Sequence, residues 1–279
     1  MAAPITFPDD PRLADYRHLK DRQLNAESAR FVAESERVVR RLLGSGLRVC
    51  SVLVTPTRLA AMADVLSGEQ PFPVYVGGQE VIDAIAGFHV HRGCLAIGER
   101  PTSSMPGHPL TSARMDAGLD PKMTAIPTDA RLLVAVEDLV DADNLGAIVR
   151  NAAAFGADAL LLSPRAADPF YRKAIRVSLG SVFLLPIIRL TDWPGDLIAL
   201  RRARGLSIVG AVVAPDAIPL HQLVPPARTL LLLGAEGPGL SPAAVAACDH
   251  RVTIPMAPAA DSLNVATAGA VFLYHLGQR

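Results

Sequence analysis

Residues 132–156, LLVAVEDLVDADNLGAIVRNAAAFG, decide the fold. The run opening at Leu132 is apolar without alternation, the signature of a strand covered on both faces. Asp143 or Asn144 then caps a helix through LGAIVRNAAAF, which Gly156 ends. A doubly buried strand leading into a helix is the repeating half of a parallel α/β sheet.

The chain on the C-terminal side repeats that alternation. ADALLLSP reads as a strand, PFYRKAIRVSLGSV as a helix, FLLPIIRL as a strand and DLIALRRARG as a helix. LSIVGAVV, TLLLLG and HRVTIPM supply three further strand candidates, and LNVATAGAVFLYHLG closes the chain as a helix. The expectation is a mostly parallel sheet covered on both faces.

Toward the N-terminus, Phe31, Val32, Val38, Val39, Leu42 and Leu43 recur at helical spacing, so FVAESERVVRRLL is expected to be helical. VCSVLVTP, RLAAMADVL, FPVYVG, EVIDAIAGF and GCLAIGE continue as strand, helix, strand, helix and strand. Between the halves, PTSSMPGHPL and GLDPKM carry Pro, Gly and Ser without periodicity. The expected organisation is an N-terminal extension over 1–20, an α/β domain over 21–100, a flexible linker over 101–130 and a second α/β domain over 131–279.

Bulk properties narrow the function. Half of the residues are apolar and 19% are charged, a globular profile. No apolar run reaches the ~18 residues of a membrane span. MAAPITFPDDPR is acidic where a secretory leader is basic, so a cytoplasmic protein away from membranes is expected. Cys50, Cys94 and Cys248 lie far apart, which argues against a zinc cluster or disulfide framework, and no metal is expected. The net charge is zero, so a nucleic-acid partner has to meet a local basic face. Arg37, Arg40 and Arg41 form one cluster, and Arg172, Lys173 and Arg176 another. Each equally suits a solvated helix face.

In an open parallel sheet, ligands bind beyond the carboxyl ends of the strands. Three such ends are unusual here. After the first strand come Asn144 and Arg150, at a helix start whose free N–H groups favour an anion. After TLLLL come Gly234, Glu236, Gly237 and Gly239, in an order that is not the dinucleotide fingerprint. After HRVT come Ile254, Pro255 and Met256, then Asp261, Ser262, Leu263 and Asn264 ahead of an apolar helix. Taken singly, these also suit a helix cap, a tight turn and a Ser262 N-cap.

In this order the three segments closely resemble the three motifs of the SpoU-type (TrmH-like) branch of the SPOUT methyltransferases. The resemblance covers nearly all of Leu132–Arg279, including KAIRVSLGSVF between the first and second motifs. The first segment is similar, more loosely, to the L30e-like RNA-binding domain, with Ser35 where a glycine is usual. The resemblance implies a parallel-sheet SPOUT domain with a deep trefoil knot, behind an L30e-like α/β domain. It implies a homodimer that transfers methyl from S-adenosylmethionine to a ribose 2′-hydroxyl of RNA, ribosomal RNA ahead of transfer RNA. Arg150, Asn144, Glu236, Ser262 and Asn264 then form the catalytic set. Gly234, Ile254, Leu263, Pro255 and Met256 hold the donor, and the two basic clusters meet RNA. A catalytically inactive RNA-binding protein that keeps the fold is the alternative, and a Rossmann-type nucleotide enzyme a third reading.

Overall fold

The computed structural model describes residues 2–17, 29–86, 93–101 and 126–277. Most of the stretch expected to be a linker, and the expected start of the first α/β domain, lie outside the described residues. The chain divides into two compact units, Met1–Thr102 with Phe170–Leu184, and Ser103–Pro169 with Leu185–Arg279.

The first unit is built on a mixed sheet of β1 (Ala3–Ile5), β2 (Arg30–Glu34), β3 (Val49–Val54), β4 (Val74–Gly77) and β5 (Cys94–Glu99). Their order is β1-β4-β3-β5-β2. Helices α1 (Glu36–Leu43), α2 (Pro56–Ala61), α3 (Ala63–Leu66) and α4 (Gln79–Ala86) alternate with them. Two expectations need correction. Phe31 and Val32 lie in β2, not in a helix: residues 30–34 pair antiparallel with β5, and Phe31 packs over Gly98. Ser35 then turns the chain into α1 at φ 88°, a conformation that suits glycine, which explains why that residue type is at home there. The expected single helix RLAAMADVL is broken at the fully buried Met62.

The segment Phe170–Leu184 belongs to this unit. The Phe31 ring centroid lies 5.2 Å from those of both Phe170 and Phe183. Arg172 pairs with Glu34 at 2.8 Å, and Arg41 donates to the Leu179 carbonyl at 2.8 Å and to Ser181 Oγ at 2.9 Å. The helix expected across this stretch is confined to α6 (Arg172–Val177). Leu179 and Gly180, both at positive φ, end it.

The second unit is a parallel sheet of β6 (Leu132–Val136), β7 (Ala159–Leu162), β8 (Ile187–Arg189), β9 (Ser207–Ala211), β10 (Ile218–Pro219), β11 (Thr229–Leu233) and β12 (His250–Thr253). The spatial order is β10-β12-β9-β11-β6-β7-β8. β6, β7 and β11 are buried along their whole length, as their unbroken apolar runs require. Helices α5 (Ala142–Ala154), α7 (Gly195–Arg204), α8 (Pro242–Ala247) and α9 (Val265–Gly277) complete the unit, with α9 packed on α5 and β11. The expected strand FLLPIIRL shrinks to Ile187–Arg189, and the short edge strand Ile218–Pro219 has no counterpart in the sequence reading. β6 and β11 are neighbours, so the loops leaving their carboxyl ends emerge side by side.

Candidate active site

The helix that follows β6 is capped by neither expected residue. Asp141 does it, its Oδ1 accepting from the N–H groups of Asp143 at 2.8 Å and Asn144 at 2.9 Å. Freed from capping, the Asn144 amide reaches across to the other two loops. Its Nδ2 donates to Glu236 Oε1, and its Oδ1 accepts from Asn264 Nδ2 at 2.8 Å. Asn264 in turn caps α9, its Oδ1 accepting from Ala266 N at 2.9 Å and Thr267 N at 3.2 Å. The cap expected of Ser262 therefore falls to Asn264.

The loop bearing Glu236 is a tight turn. Ala235 and Gly239 exchange backbone hydrogen bonds at 3.2 and 3.0 Å. Gly234 tolerates no side chain, since a Cβ there would sit 2.3 Å from the carbonyl carbon of Gly239 and 2.4 Å from Leu240 N. The glycine is thus required by close approach of backbone to backbone.

This loop walls a cavity of about 600 Å³. Gly234, Glu236, Ile254, Met256, Leu263 and Asn264 line it, as does Ser262; Pro255 is exposed and outside the lining. Sequence reading missed the apolar segment Ala211–Ala214 after β9, and Thr253 and Phe272, which also line it. For Ala211–Ala214 the sequence signal is apolar character at a strand end, whereas Thr253 lies within β12 and Phe272 within α9. Leu263, one of the lining residues, has no backbone hydrogen bond among the described residues. Apolar walls with a few convergent polar groups are the usual make-up of a small-molecule site.

Arg150 lies six residues beyond Asn144 on α5, outside the cavity lining. It is exposed, with no ion pair or hydrogen bond among the described residues. Its guanidinium is free to meet an anion or a hydroxyl. The basic clusters divide. Arg40 is held by Glu36 at 2.9 Å and Asp64 at 2.7 Å, and Arg41 and Arg172 are engaged as above, whereas Arg37 and Arg176 are exposed. Lys173 is half-buried.

Just past the ends of β6 and β7, Asp138 accepts from Ser163 Oγ at 2.9 Å and pairs with Arg165. The Arg165 guanidinium holds its carboxyl below the usual carboxylate range, with the Ser163 hydroxyl acting in the same direction. Burial pushes the Cys248 thiol up to about 11, and the side chain packs against the core cluster that contains Ile208, Leu230 and Ala244.

The model of the SpoU rRNA Methylase family matches residues 131–274. An uncharacterized tRNA/rRNA methyltransferase of Mycobacterium tuberculosis is 38% identical over 277 residues, covering 97% of this chain and 90% of the relative. A 23S rRNA (guanosine(2553)-2′-O)-methyltransferase of Bacillus subtilis is 26% identical over 95% of both chains. Among solved structures, the AdoMet-bound rRNA methyltransferase of Sinorhizobium meliloti superposes with a TM-score of 0.77 at 25% identity, covering 99% of this chain and 97% of that one.

Proposed function

Because the chain belongs to the SpoU rRNA methylase family, we propose that it transfers a methyl group from S-adenosylmethionine to a ribose 2′-hydroxyl of RNA, ribosomal RNA ahead of transfer RNA. The observation that carries this reading is the hydrogen-bonded chain Glu236–Asn144–Asn264 at the cavity. It joins three segments far apart in sequence at the carboxyl ends of the strands.

The cavity suits the donor on its own terms. Its volume accommodates a nucleoside-sized ligand. Gly234 brings backbone close, and Leu263 lines the cavity without a backbone hydrogen bond of its own; backbone groups so left are the kind that read a purine edge. Gly234, Ile254, Met256 and Leu263 would hold the donor, with Pro255 outside them. A donor bound there would supply an electrophilic methyl on a sulfonium; transfer to the hydroxyl would leave a neutral thioether, with the hydroxyl proton released to solvent.

The ribose hydroxyl is a weak nucleophile until its oxygen gains negative character. Arg150 meets that oxygen or the neighbouring phosphate. An arginine keeps its proton in proteins, so its part is electrostatic positioning and not proton removal. Asn144 and Asn264 fix one another's amide orientation, and Ser262 offers a hydroxyl at the cavity wall. Glu236 orients Asn144. The fold matches that of SPOUT methyltransferase structures; the deep trefoil knot and the homodimer remain parts of the proposal. Exposed apolar Val271 and Tyr274 on α9 support a second copy. Within the two basic clusters, Arg37 and Arg176 are the exposed members and the ones proposed to meet RNA. No helix among the described residues is long and apolar enough to cross a membrane; a cytoplasmic setting belongs to the proposal.

The test is nucleotide-resolution mapping of 2′-O-methylation in total RNA from a strain lacking the gene. One ribose methylation should disappear and return with the wild-type gene. An unchanged map, together with no donor binding by calorimetry, would leave the inactive RNA-binding alternative in its place.

A further inference from the structure

The glycine loop is fastened at both ends by one residue that lies outside the cavity lining. Glu137, the residue after β6, is 5% exposed. Its backbone N–H donates to the Leu233 carbonyl at 2.9 Å, where the loop begins. Its carboxylate receives the other end: Oε2 accepts from Ser241 N at 2.8 Å, and Oε1 from Ser241 Oγ at 2.7 Å. Oε1 also accepts from Trp193 Nε1 at 2.8 Å. Ser241 meanwhile caps α8, its Oγ accepting from Ala244 N at 3.2 Å. A buried carboxylate is stable only when its oxygens are met by donors, and these three meet both.

We propose that Glu137 is a positioning residue, a clasp that holds residues 234–240 in the donor-binding conformation, with Trp193 as its third contact. The reading rests on the proposed methyl-donor site. Held at Leu233 and Ser241, the loop keeps its tight turn, its walling of the cavity and the aim of Glu236 at Asn144. The loop itself is rich in glycine and mostly exposed, so its own contacts do little to fix it. Trp193 is the chain's single tryptophan, so the clasp carries its own spectroscopic reporter.

The experiment compares wild type, Glu137→Gln and Ser241→Ala in the full-length chain, with S-adenosylhomocysteine as the binding probe. Calorimetry gives its Kd. Transfer of labelled methyl onto protein-free ribosomal RNA from the deletion strain gives kcat and both KM values. Folding is checked by circular dichroism. In both variants the Kd and the donor KM should rise about tenfold, the scale of losing hydrogen bonds to a charged acceptor. Saturating donor should re-form the loop and with it the aim of Glu236, so kcat and the RNA KM should stay near wild type, whereas a merely destabilised protein would lose kcat. Tryptophan emission should respond to the probe in wild type and lose that response in Glu137→Gln. Should that variant fail to fold, Ser241→Ala decides alone. A folded variant with wild-type Kd and donor KM overturns the clasp and leaves the methyltransferase reading intact. Wild-type protein that does not bind the probe overturns both.

Discussion

Asn264 Nδ2 donates to Asn144 Oδ1 at 2.8 Å, joining the start of the last helix to the helix that follows the first strand of its sheet. The same Asn264 side chain turns its oxygen to the N-terminus of α9. One amide thus performs a folding task with one end and a site task with the other.

Those tasks are separable by substitution. Asn264→Asp keeps an acceptor for the helix N–H groups and adds a charge that the helix start favours. It removes the donor to Asn144. Its thermal midpoint should equal or exceed that of wild type, while methyl transfer falls at least about tenfold, which is ~1.4 kcal/mol of barrier. Asn264→Ala should lose the cap as well, at about 1 kcal/mol of stability. Wild-type activity in Asn264→Asp would detach this contact from function.

Arg150 is exposed and unpaired among the described residues, so Arg150→Ala should leave stability within about 0.5 kcal/mol. Donor affinity should be unchanged because the residue is outside the cavity lining. Transfer should fall about a hundredfold or more, the scale for losing one preorganised electrostatic contact. Arg150→Lys should recover only part of it, lacking the fork of donors. Single-turnover methylation of RNA reads this directly, and full activity in Arg150→Ala would remove the residue from the site.

A Cβ at position 234 meets backbone, not a flexible side-chain end, so Gly234→Ala must shift the loop. Donor binding measured by calorimetry should weaken at least about tenfold. The core strands are untouched, so the cooperative unfolding transition should persist. Undiminished binding would show that the loop's close approach is unimportant to the cavity.

The acid limb of stability should depend on Asp138. Its carboxyl is held below its ordinary value by Arg165 and Ser163, so the folded state releases this proton more readily than the unfolded chain. The contribution is present above the unfolded pKa of about 3.9 and is lost as pH falls through the lower folded value. Asp138→Asn suits the positive φ of 48° and removes only the charge. Urea unfolding should find the variant less stable than wild type at pH 7, with the gap closing toward pH 3. A gap independent of pH would mean that the ion pair contributes nothing. The effect should be modest, since the Arg165 side chain is 81% exposed.

Much of the second unit was legible because its strands are buried on both faces, and such strands announce themselves as unbroken apolar runs. The three loops after β6, β11 and β12 could be found for the same reason, since the runs end where they begin. The first unit was harder to read. Phe31 and Val32 suit a helix by spacing, yet pairing with β5 and the ring contacts of Phe31 with Phe170 and Phe183 outweigh that local preference. Arg41 and Arg172 resembled a nucleic-acid face because sequence records charge and not partners; the fold supplies Leu179, Ser181 and Glu34.

By itself the sequence determined the alternation of buried strands and helices, and hence a parallel sheet with its chemistry at the carboxyl ends of its strands. Only the tertiary structure decided which side chains meet there. Asp141 takes the cap that Asp143 or Asn144 was expected to provide, freeing Asn144 for Glu236 and Asn264. Glu137, unremarked in the sequence, gathers Leu233, Ser241 and Trp193. The physical reason is common to both. Burial pattern is a property of each segment, whereas a hydrogen bond between distant residues depends on strand order and helix packing, which no local spacing encodes.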